Sequence, residues 1–319
     1  MMVKYTNKEN IDVSMAVWLL SDSYDYNFDD DYLSATTLLK PTRMIVLEKR
    51  LKDKEQDLSD LIASKIGNAV HDAIERSWNS ENLKHVLSKV DFPKDVLDRM
   101  VINPAVVKRG QIPIYLEQRG IRTIEGFKIG GKFDICINGE LGDFKSTSVY
   151  SYIYGSRIKD YILQGSIYRW IHRDMITSNT IQINYIFKDF KESYKDKTLG
   201  YPSSALLSKK YDLLSLEATE DFIKQKVKEV KSYLNVDEPD LPYCTDEELW
   251  TSEIVYAVKE SKTAKKAKKL CKTYEEAEMH KLNLGLGAII EKRGGEAKRC
   301  EYCSVCSICS QYKALQSIK

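Results

Sequence analysis

The dipeptide Asn138-Gly139 stands between two alternating apolar runs, residues 132–137 and 140–145. Asn-Gly in that setting is the strongest short-range signal for a two-residue type I′ hairpin turn. The turn fixes the register: Ile137 falls opposite Glu140, and Asp134 opposite Asp143. Cross-strand neighbours stand about 4.5–5.5 Å apart at Cβ, and like charges there repel. Two carboxylates so placed need a proton or a cation. Lys145 lies two residues beyond Asp143 and shares its face. Phe133 falls opposite Phe144, with Ile135 and Ile137 on the same packed side. A slip of one residue would bury the acids, so the register is specified. Two acids and a lysine on one side of a hairpin are the parts of a site that holds a hard metal ion beside a phosphate. The plainer reading is a solvated acidic pair neutralised by Lys145.

The chain has 319 residues, enough for one large domain or two smaller ones. No apolar run approaches the roughly 20 residues of a membrane span, and the N-terminus lacks the apolar stretch of a signal peptide. A cytoplasmic location, with no membrane partner, is the expectation. The net charge of +2 neither demands nor excludes nucleic acid. Its distribution says more, because Lys259, Lys262, Lys265, Lys266, Lys268, Lys269 and Lys272 crowd one segment suited to phosphate contact. A solvated face explains the same residues. The seven cysteines stand at 136, 244, 271, 300, 303, 306 and 309. An odd count in a cytosolic chain argues against a disulfide framework. Four at three-residue steps near the C-terminus have metal-ligand spacing.

Periodicity predicts a helix over 61–78, with Gly67, His71 and Glu75 on a stripe beside the apolar one. More helix is expected over 81–110, interrupted by Pro93 and Pro104. Strands are expected over 112–117, 121–129, 132–137 and 140–145, then a long helix over 152–173, a strand over 180–187 and a helix over 216–234. After Pro239 and Pro242 the character changes. The segmentation expected is an N-terminal helical segment (1–60), a core (61–235) and a C-terminal appendage (236–319) carrying the lysines and cysteines. The order of elements predicts an α/β core, a mixed sheet flanked by helices.

Gly67-x-x-x-His71, Gly131-x-x-Asp134, Asp143-x-Lys145 and Gln164-x-x-x-Tyr168, in that order and on elements of these types, resemble the PD-(D/E)XK nuclease superfamily. Within it the likeness is to the RecB-type exonuclease branch, which includes CRISPR-adaptation nucleases and many phage enzymes. It covers roughly residues 34–190 and implies a restriction-endonuclease-like core with a Cys-rich appendage. It also implies Mg²⁺ or Mn²⁺ held by Asp134, Asp143 and the backbone carbonyl of Phe144, with His71 as a further ligand and Glu117 as a possible addition. Oxygen ligands suit these hard ions. Lys145 would position water or stabilise transition-state charge. Gln164 and Tyr168, one helical turn apart, would lie beside the lysine and the DNA; standing alone, they and His71 would read as core residues. His172 and His280 fall in no motif.

Cys300-x-x-Cys303 followed by Cys309 matches the C-terminal spacing of iron–sulfur members of this branch. Those members take a fourth cysteine from an N-terminal segment, but the comparable stretch here, residues 38–43, has none. Cys306 or Cys244 is left to complete the set. Four thiolates suit either Zn²⁺ or a [4Fe–4S] cluster.

The implied function is metal-dependent DNA exonuclease activity in recombination, repair or phage DNA metabolism. Alternatives are a structure-specific endonuclease and a non-catalytic DNA-binding clamp on the same fold. Apart from DNA, a helicase or a single-strand annealing or binding protein is an expected partner. The sequence has no Gly-x-x-x-x-Gly-Lys-Ser/Thr loop of its own to drive unwinding.

Overall fold

The helix expected over 61–78 forms as α1 (Ile62–Trp78). It turns its glycine side to the sheet: a Cβ at Gly67 would lie 3.7 Å from Ser146 Oγ. Ile62 and Ile66, on the apolar stripe, are each 39% exposed. The computed structural model describes residues 2–21, 27, 29–51, 53–195 and 197–317.

These residues fall into two compact units. The first comprises residues 1–39 and 52–231, the second 40–51 and 232–319. The first is built on a seven-stranded mixed sheet. After α1 come β1 (Ile112–Ile124), β2 (Phe127–Ile137) and β3 (Glu140–Thr147), each antiparallel to the next. Helix α2 (Ile158–Ile171) crosses over to β4 (Thr180–Phe187), which lies parallel to β3, and β5 (Leu206–Asp212) closes that edge antiparallel to β4. Short strands Met100–Ile102 and Tyr32–Ser34 add in parallel to β1 and β2. The fold is mixed α/β, a curled central sheet flanked by helices, as the order of elements predicted.

Two expected strand breaks were misplaced. β1 runs unbroken through 118–120, and the chain turns instead at Glu125 (φ 49°) and Gly126 (φ 78°). Glu-Gly supplies positive φ at both turn positions with a weaker signal than Asn-Gly. Gly130 and Gly131 interrupt nothing; they make room. A Cβ at Gly131 would lie 2.9 Å from the Tyr168 ring, and one at Gly130 2.2 Å from the Tyr32 hydroxyl. Helix 152–173 is likewise two pieces, Val149–Ile153 and α2, parted at Gly155 (φ 60°). Over 81–110 the helices are Leu83–Ser88 and Lys94–Arg99 only, and the chain enters the sheet at Met100. Of the acidic stretch from Ser21 to Asp31, residues 22–26 and 28 lie outside the described residues.

Helix α2 is the central buried element: Tyr161, Gly165, Ile167, Tyr168, Trp170 and Ile171 are all buried. It lies close against the sheet, since a Cβ at Gly165 would meet Ile181 Cδ1 at 2.7 Å. Helix α3 (Leu216–Tyr233) buries Ile223, Val227 and Val230.

The second unit begins with a helix, Thr42–Arg50, that the sequence boundaries grouped with residues 1–60. It clusters instead with residues from the C-terminal end: Val46 and Leu47 share a core with Leu241, Val305 and Cys309. Later in this unit β6 (Val255–Lys259), β7 (Lys269–Cys271) and β8 (Ile289–Arg293) form a three-stranded antiparallel sheet in the order β7-β6-β8, beside α4 (Tyr274–Leu284). No helix among the described residues is long and apolar enough to cross a membrane.

Gly131→Ala is expected to destabilise the protein by about 1–3 kcal/mol, because the added methyl displaces the Tyr168 ring from a filled core. Chemical denaturation of the variant against the parent measures this.

Candidate functional site

The Asn138-Gly139 turn forms as expected, with φ of 48° and 86°. The β2–β3 ladder pairs Ile137 with Glu140, Cys136 with Leu141 and Ile135 with Gly142. There it stops, one pair short of the acids. The expected pairing of Asp134 with Asp143 is not made. The Phe144 N–H instead donates to Asp134 Oδ2 at 2.9 Å. Repulsion between the carboxylates opposes the next rung, while on its other edge β3 stays paired with β4 from Leu141 to Thr147. The Phe133–Phe144 pairing is lost as well. Phe133 packs edge-on against His172, and Phe144 joins Ile114, Leu116 and Ile135. Ile137, expected on the packed side, is 38% exposed at the hairpin end.

Four elements meet where the strands part. α1 brings His71, whose Nδ1 lies 3.4 Å from Asp134 Oδ2. β3 brings Asp143 and Lys145, with Nζ 2.7 Å from Asp143 Oδ2. α2 brings Gln164 and Tyr168: Lys145 Nζ donates to Gln164 Oε1 at 3.2 Å, and Gln164 Nε2 donates to the Tyr168 hydroxyl at 2.7 Å. Lys145 also lies 5.2 Å above the Tyr161 ring. β1 brings Glu117, ion-paired with Lys132. Glu117 has φ 51° in the middle of a strand. That left-handed conformation costs a non-glycine residue about 1–2 kcal/mol. It occurs at the one β1 position facing Asp134 where the ladder with β2 is interrupted.

Sequence reasoning therefore placed His71, Asp134, Asp143, Lys145, Gln164 and Tyr168 in one neighbourhood, and the structure brings them together. Glu117, named as an addition to the acidic cluster, lies beside His71 and Asp134. One ligand atom each from His71, Glu117 and Asp134 lie within 4.8 Å of one another. Tyr161 was missed; its i−3 spacing from Gln164 on the same helix was the available signal. His172 is a structural histidine, buried, with Nε2 3.3 Å from the Gly131 carbonyl.

Asp143 is 3% exposed. Lys145 reaches its Oδ2 at ion-pair distance, yet that oxygen receives no hydrogen bond of proper direction. The two are paired in charge. Burial drives the Asp143 carboxyl up to about 6; Lys145 opposes this and Asp134 adds to it. Burial also works against the charge on Asp134, but the hydrogen bond and charge of His71, together with Lys145, outweigh it and hold that carboxyl below its ordinary value. At Lys145 burial is likewise outweighed, by Asp143 and Asp134, so the ammonium is strengthened. The two partners of the Lys145–Asp143 pair thus shift oppositely in preference for charge. The lysine has two acids to hold it, while Asp143 has one lysine and a competing acid. Burial would lower His71, but Asp134 raises it overall. Oxygen donors with one imidazole, and a buried carboxylate oxygen lacking a donor, fit a hard divalent cation.

In the second unit Cys244, Cys300, Cys303, Cys306 and Cys309 line one cavity together with Pro41 and Arg43. Residues of the 38–43 stretch, which has no cysteine, therefore do reach the thiols. Arg43 is 2% exposed. It donates from Nε to Cys309 Sγ at 3.3 Å and from Nη1 to the Leu241 carbonyl at 2.8 Å, and it is ion-paired with Glu238. Burial pushes the thiol of Cys244 up to about 12 and that of Cys300 to about 11. Both Cys244 and Cys306 lie on the cavity with the other three.

No protein-family model and no functionally curated protein matches the sequence. Among solved structures the chain is similar at low identity to SSO0001 (14% identity, 65% of this chain and 78% of that one, TM-score 0.38). It is also similar to a protein from Eubacterium rectale provisionally designated an exonuclease (12%, 72% and 87%, TM-score 0.36). A third is a phage-related exonuclease from Haemophilus somnus (14%, 64% and 93%, TM-score 0.28). Likeness at this level bears on neither activity nor substrate.

A cation at this site needs Asp143 ionised, so its binding releases a proton at low pH. With the folded pKa raised from 3.8 to about 6, the stabilising proton on Asp143 is present below about pH 4 and lost as pH rises through 6. Mn²⁺ is therefore expected to raise the melting temperature more at pH 8 than at pH 5. At one hundred times Kd the gain is about 2.7 kcal/mol. Asp143→Asn should remove most of it. Thermal melts with and without Mn²⁺ at both pH values check this.

Proposed function

We propose that this chain is a metal-dependent deoxyribonuclease of the PD-(D/E)XK type, acting as an exonuclease. The observation that carries the reading is the buried Asp143–Lys145 pair. A lysine ion-paired at 2.7 Å with an acid that is 3% exposed, and beside a second acid, leaves negative charge uncompensated in a site open to His71 and Glu117. A purely structural ion pair has no need of the extra acids.

Asp134 and Asp143, with the Phe144 carbonyl, His71 and Glu117, are the residues proposed to hold Mg²⁺ or Mn²⁺. When bound, the ion supplies Lewis acidity toward a phosphate oxygen and lowers the pKa of bound water. The chain's own groups do the rest. Lys145 is kept protonated by its two acids and is held by Gln164, which is held in turn by Tyr168. Its ammonium is thereby fixed in advance where charge develops on the phosphate, so no reorganisation is needed during reaction. Asp134 is oriented by the Phe144 N–H and by His71, both at Oδ2.

The thiol cavity of the second unit is proposed to hold a [4Fe–4S] cluster or Zn²⁺ in a structural role, clamping residues 40–51 to the C-terminal cysteines. A brown protein with about four irons per chain identifies the cluster; a colourless one with a single tail-bound zinc identifies zinc. DNA is the proposed substrate. Any ATP-driven unwinding is assigned to a helicase partner, and a single-strand annealing protein is the other partner class.

End-labelled single- and double-stranded oligonucleotides with Mg²⁺ or Mn²⁺ test the reading. Lys145→Ala is expected to lower the rate by at least about 10²–10³-fold with unchanged circular dichroism; full activity in that variant would sink the proposal. Circular single-stranded and circular duplex DNA should stay intact. Their cleavage would transfer the assignment to an endonuclease, and binding without cleavage of any substrate to a DNA clamp.

A further inference from the structure

We infer a second cation site, for Zn²⁺, at Cys271, Glu276 and His280 in the small sheet of the second unit. Local sequence places all three. Cys271 is the last residue of β7, paired with Tyr256 of β6. Two residues later Thr273 caps α4, its side-chain oxygen accepting from the Glu276 N–H at 3.2 Å. The cap fixes Glu276 in the first turn, and His280 follows one turn on along the same face. One ligand atom from each of the three lies within 4.8 Å of the other two. The Lys272 N–H donates to Glu276 Oε2 at 3.2 Å, which orients the carboxylate from outside the ligand set.

The donor set selects the ion. One thiolate, one imidazole and one carboxylate leave a fourth position for water, an arrangement that suits Zn²⁺. A sulfur ligand disfavours Mg²⁺ and Ca²⁺, which take oxygen. Tetrahedral ligands at Zn²⁺ bond lengths of about 2.0–2.3 Å stand roughly 3.3–3.8 Å apart. Cys271 is buried while Glu276 and His280 are only half-buried, so the two helix side chains are free to close the remaining distance onto a fixed sulfur.

The packing gives the ion a purpose. The buried core beneath this sheet is Val258, Cys271 and Ala277, with Tyr256 and Ile290 half-buried against it. Cores this small are normally supplemented by a metal or a disulfide. A zinc ion between Cys271 and α4 ties strand to helix and anchors the far end of the lysine-bearing segment between β6 and β7. The site uses none of the residues of the Asp134–Asp143 centre or of the thiol cavity, so it stands or falls independently of the nuclease reading.

The test compares the full-length protein with His280→Ala, a change at a half-buried helix position, and with Cys271→Ser. All are expressed with added zinc and assayed for metal by mass spectrometry. The parent is expected to carry one more zinc per chain than either variant. Metal in the thiol cavity is common to all three and cancels. In titration with a chelating dye, loss of His280 should weaken this zinc by more than the about 10–100-fold typical of an outer-shell change. After Co²⁺ substitution, the parent-minus-His280→Ala difference spectrum should show a sulfur-to-cobalt charge-transfer band. Circular dichroism confirms that His280→Ala is folded. Equal zinc content and a flat cobalt difference spectrum for the parent and His280→Ala would overturn the inference, whatever the behaviour of Cys271→Ser.

Discussion

Two carboxylates, Asp134 and Asp143, are fixed near each other on adjacent strands, one held by His71 and the Phe144 N–H and the other by Lys145. Much of the first unit follows from how that repulsion is managed. The β2–β3 ladder ends one rung before the acids. β3 continues with β4 as its partner, which requires the crossover through α2. That helix delivers Gln164 and Tyr168 to Lys145. The β4 ladder on the other edge of β3 holds that strand in place past the opening, and the crossover to it carries the residues holding the lysine.

The two carboxyls of the site differ in their electrostatics. Burial pushes Asp143 toward its neutral form, while Asp134 stays ionised through His71 and the Phe144 N–H. Unequal carboxyls of this kind mark functional sites more often than structural ones. The left-handed backbone at Glu117 agrees: strain is retained where the surrounding structure over-determines it.

The second unit solves a different problem. A short helix, Thr42–Arg50, is far in sequence from the residues it packs with, and Arg43 is buried only because every direction of its guanidinium is answered, by Glu238, the Leu241 carbonyl, Ser310 and Cys309 Sγ. Its guanidinium stands at the edge of the cavity lined by Cys244, Cys300, Cys303, Cys306 and Cys309.

The hairpin turn, the order of the strands and the convergence of the α1 and α2 motifs on the acids were legible in the sequence, because Asn-Gly turns, apolar periodicity and i, i+4 spacing act over a few residues. The Glu125-Gly126 turn was not, since its dipeptide carries a weaker signal. Nor were the roles of Gly130 and Gly131, which are set by the rings of Tyr32 and Tyr168 arriving from distant segments. The opening of the ladder at Asp134, the approach of Glu117 from β1, and the membership of Thr42–Arg50 in the C-terminal unit depend on long-range pairing. Sequence alone fixed which groups would be uncomfortable if buried. Only the tertiary structure decided which neighbours would be brought to relieve them, because that relief comes from residues tens to hundreds of positions away.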